Sequence, residues 1–147
     1  MAFPEAFKEL RARNLAVATV YREWSRRLPP GPVSKLAASI AEQRRDLDKA
    51  LAEIAADQSP RGAEVEFELA PAQAEGVSSE DSELSEPKAI LRKIVAAEAA
   101  DHDLLAEAAG SALSLSTEIA ERLAAEAASA RKRSIWAQDQ LELMEML

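Results

Sequence analysis

Apolar residues recur every three or four positions along most of this 147-residue chain, which is the period of an amphipathic helix. Four such stretches predict helices over about 4–28, 32–57, 87–110 and 117–147. The run Pro29-Pro30-Gly31-Pro32 separates the first two, because proline cannot continue a helix. A short turn at 110–116 separates the last two. Ser116 or Thr117 is expected to cap the fourth helix, since a hydroxyl oxygen can accept a hydrogen bond from a free backbone N–H.

A long polar segment separates the second and third helices. Residues 58–86 are acidic and rich in Pro and Ser, as is typical of a loop, and 64–69 alternate like a short strand lying along the bundle edge. Loops above about 12–15 residues are uncommon within a compact domain. This length therefore predicts that the third helix begins at the end of the bundle opposite to where the second stops. Two antiparallel hairpins joined by a long crossover loop make a ferritin-like four-helix bundle, so we predict an all-α fold with one domain over 1–147.

Polar side chains interrupt the apolar stripe of each helix near its midpoint. Glu98 and Asp101 interrupt the third helix, with His102 at the margin of its stripe. The interruptions in the other three helices are Asn14, Gln43, Arg44 and Glu126. Midpoints of equally long antiparallel helices lie at the same level, so we expect these side chains to converge in one buried layer, with Glu98 and Glu126 within reach of each other or of a shared cation. A buried carboxylate is costly unless it is paired or binds a metal, and this layer is therefore the candidate site.

Three short segments of the chain match helix motifs of a known bundle family. Residues 9–14 (Glu-Leu-Arg-Ala-Arg-Asn) match a first-helix Glu-x-x-Ala-Arg-Asn segment. Residues 98–102 (Glu-Ala-Ala-Asp-His) are similar to a third-helix Glu-x-x-Glu, and 125–129 to a fourth-helix Glu-x-x-His. Together they resemble the ferritin-like superfamily, and rubrerythrin in particular, which implies an iron site that handles peroxide or dioxygen. The metal ligands implied by the resemblance are Glu9, Glu98, Asp101 and Glu126, and His102 is the candidate imidazole ligand.

The chain departs from that family at the histidines. Ser129 stands at the fourth-helix histidine, and the second helix carries Gln43 or Arg45 there, depending on the register. Arg44 occupies the central slot of the second helix as a fixed cation, and an arginine can bind a carboxylate through two hydrogen bonds. With Arg133, it is positioned to neutralise Glu98 and Glu126. Two interpretations remain open: a metal-free polar core completed by Gln43 and Asn14, or a metal site of one or two ions.

Composition narrows the function further. The formal net charge of −8 argues against a nucleic-acid or anionic-membrane surface. No run approaches the roughly 18 apolar residues of a membrane span. The absence of cysteine excludes disulfides, cysteine–zinc sites and thiol nucleophiles. Because the chain has one histidine, any metal site would have His102 as its only imidazole ligand. The first residues lack the basic start and apolar core of a signal peptide, so a cytoplasmic location is expected.

The fourth helix is predicted to be the longest, at about 46 Å for 117–147 against roughly 36–39 Å for the others. Its last turns carry an unusual amount of apolar surface: Trp136, Leu141, Leu143, Met144, Met146 and Leu147. We expect these residues to cover the bundle end or to contact another subunit, which predicts a homo-oligomer such as a dimer. Tyr21 and Trp24 on the first helix are predicted to be core aromatics.

Three functional hypotheses follow. The first is a non-catalytic bundle that acts through association, with a polar layer in place of a di-iron site and no cofactor. The second is a rubrerythrin-like oxidoreductase that uses iron held by Glu98, Asp101, His102 and Glu126. The third is a scaffold module whose acidic 58–86 loop binds a partner. The scarcity of imidazole ligands favours the first, because an active di-iron site normally needs histidines as well as carboxylates.

Overall fold

A computed structural model describes residues 3–56 and 77–147, and these residues contain four α-helices. The helices are α1 (Phe3–Arg27), α2 (Pro32–Ala56), α3 (Pro87–Ala112) and α4 (Thr117–Glu145). A short 3-10 helix, Ser79–Glu83, precedes α3. The all-α prediction is confirmed, and every predicted helix end lies within two residues of the observed one. The strand predicted at 64–69 lies outside the described residues.

Side-chain caps define the N-termini of α3 and α4. Glu86 caps α3, where its carboxylate accepts hydrogen bonds from the backbone N–H groups of Lys88 at 3.0 Å and Ala89 at 2.7 Å. Ser116 caps α4, as predicted, because its hydroxyl oxygen accepts from the Ile119 N–H at 3.3 Å. Each cap satisfies backbone donors that the first helical turn leaves unpaired.

Consecutive helices pack as two antiparallel hairpins, α1 with α2 and α3 with α4. Two clusters of buried apolar residues, one toward each end of the bundle, show the helix directions. The first cluster joins the start of α1 and of α4 to the end of α2 and of α3. The second joins the end of α1 and of α4 to the start of α2 and of α3. Helices α2 and α3 therefore run in the same direction, so the end of α2 and the start of α3 lie at opposite ends of the bundle, as the loop lengths predicted.

The described residues that precede α3 are anchored on α1 and on α3 itself. The indole Nε1 of Trp24 donates a hydrogen bond to the backbone carbonyl of Asp81 at 2.7 Å. The Lys93 ammonium lies 3.5 Å from the Asp81 carboxylate. Val77 and Leu84 pack against the second cluster. These contacts tie residues on both sides of the 3-10 helix to the bundle.

The two apolar clusters leave a polar layer between them. Its buried members are Asn14 on α1, Arg44 on α2, Glu98 on α3 and Arg133 on α4. Apolar burial on either side stabilises the bundle, at about 1.5–3 kcal/mol for each large aliphatic side chain. It also removes water from the layer, so each polar group there requires a partner within the protein. Within the described ranges, none of the helices has the length and apolar character that crossing a membrane requires.

Candidate polar site in the bundle core

Glu98 lies at the centre of the layer and has no exposed surface. One carboxylate oxygen, Oε2, accepts hydrogen bonds from the Tyr21 hydroxyl at 2.7 Å and from Arg44 Nε at 3.0 Å, and it also contacts Arg44 Nη2. The other oxygen, Oε1, accepts from Arg133 Nε. The donors come from α1, α2 and α4, while Glu98 itself is on α3. One carboxylate therefore links all four helices.

Arg44 is held on its other side by Asn14. The Arg44 Nη1 group donates to Asn14 Oδ1 at 3.0 Å, and Asn14 Nδ2 donates to the Arg44 backbone carbonyl at 2.6 Å. The guanidinium carbon also lies 5.5 Å from the centre of the Tyr21 ring, within the range of a cation–π interaction. The prediction that Arg44 points inward and pairs with Glu98 is confirmed, and the guanidinium is fixed by groups on α1 and α3.

Asp101 supplies the second negative charge of the layer, without a close hydrogen bond from either arginine. Its Oδ2 lies 3.6 Å from both Arg44 Nη1 and Arg133 Nη2. Asp101 Oδ2 and Arg133 Nη2 are buried, and neither has a hydrogen-bond partner among the described residues. Two guanidinium groups thus face two carboxylates, which makes the layer formally neutral when both carboxylates are ionised.

The pKa values of the two carboxylates shift in opposite directions, although burial alone raises both. Loss of solvent disfavours ionised Glu98, but attraction from Arg44 and Arg133 and their hydrogen bonds outweighs that cost, so its pKa lies below the ordinary value of 4.5. The pKa of Asp101 is raised above its ordinary 3.8, because its desolvation outweighs attraction from Arg44, and the charge on Glu98 adds to the rise. Desolvation and the neighbouring Glu98 charge raise the pKa of Tyr21 well above 10.0. Tyr21 therefore stays a protonated donor.

Two predicted members of the layer lie elsewhere. Gln43 is partly exposed and donates to the Ser39 hydroxyl at 3.5 Å on the same helix. Glu126 is half-buried and makes no hydrogen bond or ion pair with the residues that the structure describes, and partial burial raises its pKa. The predicted burial of Glu126 is wrong, because Arg133 is the inward-facing residue of α4 that reaches Glu98. Glu126 still lies within electrostatic reach of Arg133, so the two glutamates do share a cation, as predicted. Gln43 is displaced because Arg44 takes the inward position next to it.

The residues implied as metal ligands are not brought together. Glu98 and Asp101 lie in the layer, but Glu9 is on the surface of α1, 3.0 Å from Arg13 Nε. His102 is partly exposed, with Nδ1 2.9 Å from the Asp103 carboxylate. Glu126 is at the rim, as described above. Among residues 3–56 and 77–147, no three histidine, cysteine or acidic side chains are grouped so as to hold a metal ion.

The donors that are present do not fit an iron site. Both oxygens of Glu98 already accept hydrogen bonds from arginine, and two fixed cations occupy the space beside them. A metal ion placed there would be repelled by Arg44 and Arg133 and would have to displace them. The layer is instead a charge-neutral ion-pair network, which can fix helix register.

Tyr21 is the layer residue whose polar role was not predicted. It was interpreted as a core aromatic, and it is indeed buried beside Trp24. The sequence held one signal for its second role. Tyr21 follows Asn14 by seven residues, which places both on one face of α1, and a buried tyrosine hydroxyl usually finds a hydrogen-bond partner.

Comparison of this chain with protein-family models, with curated proteins and with solved structures finds no match.

Proposed function

We propose that this chain is a non-catalytic, ferritin-like helical bundle in which an arginine–carboxylate network stands where related bundles hold a metal centre. The observation that carries the proposal is Glu98, whose two oxygens accept from Arg44, Arg133 and Tyr21. Glu98 is fully buried, and both of its oxygens already accept from fixed donors. It neither binds a metal nor acts as a base, so its role is to hold four helices in register.

The ferritin-like relationship in this proposal is supported by topology and by position. Helices α2 and α3 run parallel, as they do when a crossover joins two hairpins. Glu98 also stands at the level where that architecture places its metal ligands. Arg44 and Arg133 then supply the positive charge that iron would supply, and Asp101 balances the second arginine.

The function that remains for such a bundle is association with another molecule. Exposed large apolar side chains on α4 and on the two residues after it support this part of the proposal: Ile135, Trp136 and Leu143 on the helix, and Met146 and Leu147 beyond its end. Exposed apolar surface of this kind marks interaction sites more often than single scattered residues do. We propose that α4 is the surface through which the chain forms a homo-oligomer.

Elemental analysis tests the metal-free part of the proposal. The protein is purified without chelator, incubated anaerobically with excess Fe(II), desalted and analysed for iron, with peroxide turnover measured on the same sample. We expect iron well below one equivalent and turnover at background. Asp101→Ala is the matched variant, because Asp101 Oδ2 is a buried layer oxygen without a hydrogen bond. Stoichiometric iron that this variant loses would establish the oxidoreductase instead.

A further inference from the structure

The outer surface of α4 divides into two halves that differ in side-chain size. At 100° per residue, one outer face of α4 includes positions 124, 125, 128 and 129 in its first half and 135, 136 and 143 toward its end, and the C-cap residue Met146 continues it. The first half carries small side chains: Ala124, Ala125, Ala128 and Ser129. The second half carries large ones, and Trp136 and Leu143 are 48% and 57% exposed. We refer to the whole set as the α4 outer face.

Two opposite charges also lie on this face, Lys132 between the two halves and Asp139 within the second half. Lys132 and Asp139 are both exposed, and both fall on the α4 outer face. Neither forms an ion pair with any residue that the structure describes. They are seven residues apart, so they lie almost in line along the helix axis. The midpoint between them falls between Ile135 and Trp136.

A second copy of α4 complements this face when it lies antiparallel. A two-fold axis between Ile135 and Trp136 places residue 132 of each helix opposite residue 139 of the other, which makes two Lys132–Asp139 pairs. The same axis sets Leu143 against Ala128 and the C-cap residue Met146 against Ala125, so that large side chains pack on small ones. A parallel arrangement would instead set large against large and like charge against like charge.

We propose that the chain forms a two-fold symmetric dimer in which α4 packs antiparallel against α4 of a second copy, with the axis between Ile135 and Trp136. The proposal rests on the association assigned to α4 above and adds the partner, the orientation and the register. Such an interface is isologous, because the same patch is used on both subunits. Trp136 lies next to the axis, where it contacts α4 of the second copy and the Trp136 of that copy.

Complementary charge reversals test the orientation and register. The variants are Lys132→Glu and Asp139→Lys, each studied alone and then mixed in equal amounts. Each variant alone faces itself with two repulsive pairs, so its dimer dissociation constant should rise about tenfold. In the mixed dimer both pairs are attractive again, and heterodimer should exceed the statistical half. Native mass spectrometry separates the species by mass, and Arg45→Glu, an exposed charge reversal on α2, is the control that should leave dimerisation unchanged.

Trp136→Ala separates this inference from the broader proposal. Sedimentation velocity should show a dimer for the wild-type chain and a shift toward monomer for Trp136→Ala. If Trp136→Ala dissociates a dimer but the charge variants mix statistically, the antiparallel register is overturned and association through α4 stands. If the wild-type chain is a monomer at every concentration, both the dimer and the association are overturned, whereas the metal analysis is unaffected.

Discussion

Tyr21 donates its hydroxyl hydrogen bond to Glu98 at 2.7 Å, and this contact joins α1 to α3 across the core of the bundle. Tyr21→Phe removes the donor and keeps the ring that packs beside Trp24. A hydrogen bond to a charged group is worth about 1.5–3 kcal/mol, and Glu98 keeps its arginine donors, so we expect a loss near the lower value, about 1.5 kcal/mol. Urea unfolding measures it.

The control for Tyr21→Phe is Thr19→Val on the exposed side of α1, where the hydroxyl bonds only to the helix's own backbone among the described residues. That change should stay within about 0.5 kcal/mol. Equal effects of the two substitutions would mean that the Tyr21 hydroxyl adds nothing specific to the layer.

Asn14 is expected to be needed for the orientation of Arg44. Asn14→Leu removes the acceptor for Arg44 Nη1 and the donor to the Arg44 carbonyl. Because a buried guanidinium N–H then lacks a partner, the free energy of unfolding should fall by about 1–3 kcal/mol. Gln43→Leu, at the partly exposed rim, is the comparison and should change it by about 0.5 kcal/mol or less. A tolerated Asn14→Leu would show that Arg44 is held by Glu98 alone.

The pH dependence of stability should depend on Glu98 in a defined direction. Its pKa is lowered in the folded state, so its stabilising contribution is fully present above the ordinary value of 4.5 and is lost as the pH falls through the folded-state pKa. The stability difference between wild type and Glu98→Gln should therefore be constant near neutral pH and shrink in acid. Chemical unfolding of both proteins across this range measures it. A difference that grows in acid would mean that the pKa of Glu98 is raised.

Asp101 should show the opposite sign. Its pKa is raised above the ordinary value of 3.8, so between that value and the folded-state pKa the folded chain binds more protons than the unfolded chain. Stability due to Asp101 therefore increases as the pH falls through this window. Wild type should gain stability relative to Asp101→Asn as the pH is lowered from neutral. If wild type instead loses stability relative to Asp101→Asn as the pH falls, attraction from the arginines outweighs desolvation in setting the pKa of Asp101.

The polar residues of α2 and α3 could be assigned to the layer from the sequence, because large apolar residues lie one or two turns away on the same helix face. Arg44 lies between Ile40 and Leu47, which are both buried, so its side chain is on the inner face of α2. Glu98 is likewise flanked by Ile94 and Leu105 on the buried face of α3. Large apolar side chains show which face of a helix is buried, so a polar residue between them on that face can be predicted to point inward.

The fourth helix could not be read in the same way. Alanine is common at both buried and exposed positions of α4, as Ala127 and Ala128 show. The apolar residues that repeat along α4 are nevertheless its buried ones: Ile119, Leu123, Ala127, Ala130, Ala137 and Leu141. Arg133 falls in the gap between Ala130 and Ala137 on this face, whereas Glu126 lies beside Ala127 at its margin. Small alanines mark the edge of the face poorly, and this is why the prediction of a buried Glu126 fails.

A double-mutant cycle tests most directly whether Arg44 and Glu98 neutralise each other inside the bundle. The free energy of unfolding is measured for wild type, Arg44→Met, Glu98→Gln and the double variant, with Arg45→Met as the exposed control. Breaking a buried pair from either side should cost about 3–5 kcal/mol, and the control about 0.5 kcal/mol or less. Because Arg44→Met leaves Glu98 with one guanidinium instead of two, the double variant should be more stable than the sum of the single losses predicts, by about 0.5–3 kcal/mol. Additive losses, or an Arg44→Met variant as stable as wild type, would contradict the account.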